Sequence, residues 1–217
     1  MSTSDINPLA DKTVLPGGVF FLRGWLGIFT LTPLGIAVAF SEIPSPSGTF
    51  GCLACSTGGA LIILAGVVWR TWAMLYVGGR KTKSLVQVGP YSLSRHPLYF
   101  GTFLIGIGAG VMLQSFTWTA AFIALFPLIY LPVIAEEERA LRTNHPLPFD
   151  EFVSSVPNRI LPRWSDYRSG GKYVEVHMKA QWNQAKRGLF TLAAIPAIEL
   201  IQTLRSTGMI PAWWDLY

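Results

Sequence analysis

The chain has 217 residues, 51% of them hydrophobic and only 13% charged, with a formal net charge of +5. Soluble domains carry about 25% charged residues, so this composition excludes an ordinary soluble domain and marks a polytopic helical membrane protein. The positive excess is not a compact basic patch interleaved with aromatic residues, which argues against nucleic acid as a partner.

Residues 1–18 read as an N-terminal cytoplasmic segment. Asp5 and Asp11 offset Lys12, so the segment lacks the basic start of a signal peptide, although Ala37-Val38-Ala39 imitates a cleavage site. Residues 19–77 hold two apolar runs, 19–40 and 51–77, each long enough to cross a hydrocarbon core of about 30 Å. Arg23 and Arg70 lie toward run ends, where their stems can snorkel, and Trp69 and Trp72 flank Arg70 like an interfacial belt. Cys52 and Cys55 read as two small apolar residues one helical turn apart. A closed zinc site needs four ligands and the chain has no other cysteine, so no metal site is expected.

Gly78-Gly79 stops the second run, and Arg80, Lys81, Lys83 and Arg95 follow in one short loop. A third run, 97–113, opens with Pro97 at the first helical turn, where the missing N–H costs nothing. A turn over 114–117 leads to a fourth run, 118–135, which Pro127 and Pro132 should kink. Runs three and four then form a hairpin whose charged ends lie side by side. One end carries Arg95, His96 and Tyr99; the other carries Glu136, Glu137 and Glu138. Lysine and arginine concentrate in the loop before the third run and after the fourth, so both should face the cytoplasm, with the protein in the inner (cytoplasmic) membrane.

Pro146, Pro148, Pro157 and Pro162 are expected to break residues 144–163 into loop and short turns. Residues 165–217 form a membrane-associated tail, in which 188–204 reads either as an in-plane interfacial helix or as a fifth span. The expected fold is therefore all-α: four transmembrane helices plus this C-terminal helix.

Ionisable groups at membrane depth are a functional-site hypothesis by default. Glu137 shares a helical face with Tyr130, Val133 and Leu141, and its burial needs a partner such as Arg95 or a bound cation. Glu136 is a weaker candidate. Glu138 is expected to pair with Arg142 at i,i+4 on a solvated face, outside the site. Gly101, Gly106, Gly108 and Gly110 leave room for close approach of a helix or a ligand.

The segment Leu85-Val86-Gln87-Val88-Gly89-Pro90-Tyr91, then Arg95-His96-Pro97-Leu98-Tyr99-Phe100-Gly101, then Glu137-Glu138-Arg139-Ala140-Leu141, resembles the isoprenylcysteine carboxyl methyltransferases and their bacterial relatives, which include phospholipid N-methyltransferases. The likeness extends over 68–164, so that 78–164 reads as the methyltransferase core. It implies an S-adenosylmethionine-dependent membrane methyltransferase. The cofactor would be held around Leu85, Val86, Gly89 and Tyr91, by the turn His96, Pro97, Leu98 and Tyr99, and by Glu137. Two departures stand out. Where isoprenylcysteine enzymes place an arginine for the substrate carboxylate, four residues before the glutamate, this chain has Val133. The aromatic stretch expected after the glutamates is replaced by His145-Pro146-Leu147-Pro148-Phe149 and Phe152.

The reaction expected is methyl transfer to a lipophilic small molecule or membrane lipid, either a phospholipid amine or an isoprenoid or prenylcysteine-like carboxylate. An amine would use Glu136 or Glu137 as base; a carboxylate would use Arg95, with Arg159 or Arg163 as outside candidates. Two other classes fit less of the pattern. One is a non-catalytic membrane scaffold; the other is a transporter, for which the chain lacks repeat symmetry.

Overall fold

A computed structural model describes residues 49–78, 85–170 and 176–211, together with 35, 36, 38, 40, 41 and 213. Most of the expected first helix and the basic residues Arg80, Lys81 and Lys83 lie outside these. The described residues form helices, with no extended strand. In chain order they are α1 (Phe50–Val77), the single turn α2 (Pro90–Leu93), α3 (Pro97–Met112), α4 (Phe116–Asn144), α5 (Pro146–Ser155), α6 (Met178–Leu192) and α7 (Ala194–Ser206). Three stretches are long and apolar enough to cross a membrane: Phe50–Val77, Phe116–Asn144 and Met178–Ser206. Pro97–Met112 is a shorter apolar helix.

Local chemistry sets the helix ends. The Thr49 hydroxyl accepts from the Cys52 N–H and starts α1, and Ser115 does the same for α4 through the Trp118 N–H. α4 runs unbroken through Pro127 and Pro132 to Asn144, well past the apolar run. The continuation carries the three glutamates away from the C-terminal dipole that would oppose them.

α3 lies antiparallel along α1, and glycines set the spacing. A Cβ on Gly59 would come within 2.6 Å of the Gly108 carbonyl oxygen, and one on Gly108 within 2.7 Å of the Gly59 oxygen. One heptad along, a Cβ on Gly66 would meet the Gly101 oxygen at 2.7 Å, and one on Gly101 the Gly66 oxygen at 2.9 Å. The α3 glycines therefore divide by face. Gly101 and Gly108 admit α1, while Gly106 and Gly110 admit Phe122, Trp118 and Thr119 of α4.

One expectation changes in the C-terminal part. Residues 146–155 are not broken loop but helix α5, which buries Phe149 and Phe152. Pro146 and Pro148 fall in its first turn, where backbone N–H groups have no intrahelical partner to lose. α6 and α7 together run antiparallel along α1. Gly78 abuts Ala180, Gly188 abuts Val67, and Ser56 donates to Gln202 at 3.4 Å. The polar face that made the in-plane reading attractive is partly internal: Gln202 is buried and its amide donates to the Met112 carbonyl, one of the otherwise unpaired groups at the C-terminus of α3.

Candidate active site

The site lies where the loop 85–96, the first turn of α3 and the last turns of α4 meet. Gly89 has φ 62°, a conformation that favours glycine, and a Cβ there would lie 2.5 Å from the Tyr76 ring. Pro90 then starts α2, whose four residues are all buried. Residues 156–170 form a strap that is hydrogen-bonded along this loop. The Arg95 N–H donates to the Asn158 carbonyl at 2.9 Å, His96 N–H to Arg159 at 2.8 Å, Arg163 N–H to Leu93 at 3.0 Å and Gly89 N–H to Arg168 at 2.7 Å. Ser92 Oγ accepts from the Arg168 N–H at 2.9 Å. The strap is also fixed to α1 by rings: Trp164 sits edge-on to Trp69 at 5.6 Å, and Tyr167 lies 6.3 Å from Trp72.

Inside this frame the charged residues form one continuous array. His96 Nδ1 lies 3.4 Å from Glu137 Oε2, and His96 Nε2 lies 3.2 Å from Glu138 Oε1. The Tyr99 hydroxyl donates to Glu137 Oε2 at 3.1 Å. Arg95 Nε donates to Glu138 Oε1 at 2.9 Å, and its Nη1 to the Val156 carbonyl at 3.0 Å. Arg159 reaches in from the strap to Glu138 Oε2 at 3.3 Å. The side chains of Arg95 and His96 are only 6% and 7% exposed, and Glu138 13%, so water does little to screen these pairs.

Glu138 therefore does not pair with Arg142 on a solvated face. Arg142 bonds Asp150 of α5 at 2.7 Å instead, which leaves Glu138 at the centre of the array. Glu136 makes a loose contact with the exposed Arg139 at 3.8 Å. The remaining candidates line the same end of the bundle. Val86, Tyr91 and Leu98 cluster with Ala73 and Val77; Leu85 clusters with Phe149, Phe152 and Val156 of α5 and the strap; Tyr99 lies against Tyr130 at 5.2 Å, in the apolar cluster that includes Val133 and Ile134. Pro97 is the first residue of α3, and its carbonyl accepts from Trp69 Nε1 at 2.9 Å. Arg70 turns inward to the Leu98 carbonyl and Thr102 hydroxyl, so it braces α1 against the start of α3.

Burial works against a charged imidazole at His96. The hydrogen bonds its ring donates to Glu137 and Glu138, and their charge, outweigh it, so the pKa stands above the ordinary 6.5. The sign for stability follows from linkage. The contribution of His96 is fully present below about pH 6.5 and is lost as pH rises through the higher folded-state value. Histidine NMR titration should show one resonance of the folded protein moving above the ordinary value, and thermal unfolding should show stability falling over that window. A His96 resonance titrating below 6.5 would refute the balance. The Tyr91 hydroxyl is pushed far up, first by burial and then by the charge of Glu137 and the neighbouring Tyr99, so it stays protonated and can only act as a neutral group.

A sequence model of the isoprenylcysteine carboxyl methyltransferase (ICMT) family matches residues 52–143, which include α3, the array's histidine and both of its glutamates. Over most of its length the chain is also similar to the nickel-cobalt-cadmium resistance protein NccN of Alcaligenes xylosoxydans xylosoxydans, at 31% identity over 195 residues covering 89% of this chain and 90% of the relative. The chain belongs to the ICMT family. The cobalt-zinc-cadmium resistance protein CzcN of Cupriavidus metallidurans is 34% identical over 156 residues, 72% of this chain and 71% of the relative. No solved structure matches the chain. The family match ends at residue 143, before α5 and the strap, so Arg159 and the Val156 carbonyl complete the array from outside the matched region.

Proposed function

We propose that this ICMT-family membrane protein is an S-adenosylmethionine-dependent methyltransferase acting on a lipophilic acceptor at the cytoplasmic face of the inner membrane. The observation that carries the reading is the buried array of Arg95, His96, Tyr99, Glu137 and Glu138 at two adjoining helix ends. ICMT-family members use this cofactor, and the residues fit it. Glu137, held by His96 and Tyr99, offers a carboxylate to a cationic sulfonium or ammonium, the N-terminus of α3 offers backbone donors to a carboxylate, and Leu85, Val86, Tyr91 and Leu98 offer an apolar wall. Bound there, S-adenosylmethionine supplies a methyl group already activated on sulfur.

The chain's own work is then positioning, exclusion of water and proton removal. α5 and the strap cover the loop 85–96, and Phe149, Phe152 and Val156 close the site with apolar side chains. For an amine acceptor, Glu137 is placed to take the proton, and His96 connects it to Glu138 and to the half-exposed Arg159 at the surface. An amine-bearing lipid is favoured over a carboxylate. Val133, which stands where the carboxylate-binding arginine of isoprenylcysteine enzymes would be, is fully buried in the apolar cluster that includes Tyr99 and Ile134. Both relatives are named for resistance to divalent metal ions, and we extend that setting to this chain as the condition under which its product is needed. The link to that setting runs through a methylated lipid.

The test is incubation of the purified chain with labelled S-adenosylmethionine and total host lipid, with mass spectrometry of the labelled product. Calorimetry with S-adenosylhomocysteine should show binding that Glu137→Gln and His96→Ala each weaken by about tenfold or more, the worth of a hydrogen bond to a charged group. Binding unchanged in both variants would remove these residues from the cofactor site. No binding and no labelled lipid in the wild type would favour the non-catalytic scaffold.

A further inference from the structure

From its outward face we infer a second function for α6: a docking site for anionic phospholipids of the leaflet at the array's end of the bundle. This is independent of the methyl-transfer reading. α6 turns Gln184 and Gly188 inward against α1. Outward it exposes Met178 by 74%, Trp182 by 64%, Leu189 by 72% and Phe190 by 82%. Lys179, Lys186 and Arg187 are exposed beside them, and Met178–Leu192 contains no aspartate or glutamate. Apolar and cationic groups thus share one surface without a single compensating acid on the helix.

Its height along the bundle identifies the occupant. α6 follows α1 from Gly78, which abuts Ala180, to Val67, which abuts Gly188. That is the stretch of α1 bearing Trp69 and Trp72, which hold Trp164 and Tyr167 of the strap. Tryptophan and tyrosine collect at headgroup level, so the lysines of α6 stand beside phosphates rather than in bulk water. Lys186 Nζ lies 5.5 Å over the Trp182 ring, an arrangement that keeps the stem on apolar surface and the ammonium at the polar boundary. A second copy of the chain fits this face poorly. A twofold contact presents the same patch from both sides, and the cations would meet cations.

The test uses the full-length chain in nanodiscs of phosphatidylcholine with a minor fraction of phosphatidylglycerol, with native mass spectrometry of the lipids it retains. Wild type should retain phosphatidylglycerol in excess of its bulk fraction. Lys179→Gln, Lys186→Gln and Arg187→Gln should each lower that excess by up to about fivefold, and together abolish it, while Lys179→Arg with Lys186→Arg keeps it. Should the triple variant misfold, the wild type still decides: the excess must fall when salt is raised from about 0.1 to 1 M, where screening shortens from roughly 10 to 3 Å. An excess unchanged in a folded triple variant, or insensitive to salt, overturns the proposal. So does a wild-type dimer that the triple variant loses, because the face would then join two copies.

Discussion

Glu138→Ala is expected to destabilise the protein more than any other single substitution in the charged array. Glu138 accepts from Arg95 and Arg159 and touches His96, and the Arg95 side chain is only 6% exposed. Removing the carboxylate leaves a buried guanidinium without its counter-charge, a loss of about 3–5 kcal/mol when a buried pair is broken from one side. The loss reaches beyond the pair, because Arg95 also holds the Val156 carbonyl and Val156 anchors the strap. Arg159→Ala removes a half-exposed partner and should cost less than about 1 kcal/mol. Glu138→Gln keeps an acceptor but not the charge and should fall between the two. Thermal unfolding in detergent gives the order directly. A Glu138→Ala protein as stable as Arg159→Ala would mean that Arg95 is solvated in a way its burial denies.

The second large effect belongs to the α1–α3 seam. Gly66→Val and Gly101→Val each place side-chain atoms against neighbours that include backbone oxygens, at 2.7 Å and 2.9 Å from the first added carbon. Overpacking a core by added methylenes costs about 1–3 kcal/mol even when side chains can shift. Here the helices themselves must separate, so each variant should reach or exceed the top of that range and lose monodisperse protein on purification. Gly58→Ala is the control. It lies on the same helix with nothing within 4 Å of the added carbon, and exchanging glycine for alanine within a helix is favourable by about 0.8–1.0 kcal/mol. A seam that accepted valine as readily as Gly58 accepts alanine would show that the close approach is not what holds α3 in place.

The hairpin and its charged ends were readable in the sequence because they rest on local signals: apolar run length, Pro97 at a helix start, and ionisable groups where lipid packing gives no reason for them. What was misread depends on distant partners. Glu138 and Arg142 have the spacing of a helical pair, but Asp150 of α5 takes Arg142 and the strap brings Arg159 to Glu138. α5 was hidden because prolines 146 and 148 look like breakers unless one knows that the helix begins at 146. The last helix pair was ambiguous because a polar stripe reads alike whether it meets water or, as Gln202 does, a helix end inside the protein. Val133 shows the limit from the other side: its departure from the family pattern was visible, yet only the structure shows that it is fully buried in an apolar cluster.

The strap has a consequence for how the protein is made. Val156 follows Arg95 by 61 residues and Arg168 follows Ser92 by 76. At synthesis rates of about 5–20 residues per second, the ribosome needs roughly 3–15 s to deliver the strands of backbone that complete the loop. Late in that interval Glu137 and Glu138 are already made, while the Val156 carbonyl that Arg95 holds and the Arg159 that pairs with Glu138 are still to come. Chains stalled or cleaved before residue 156 would carry every residue of the family match and still lack the contacts that close the array from the strap.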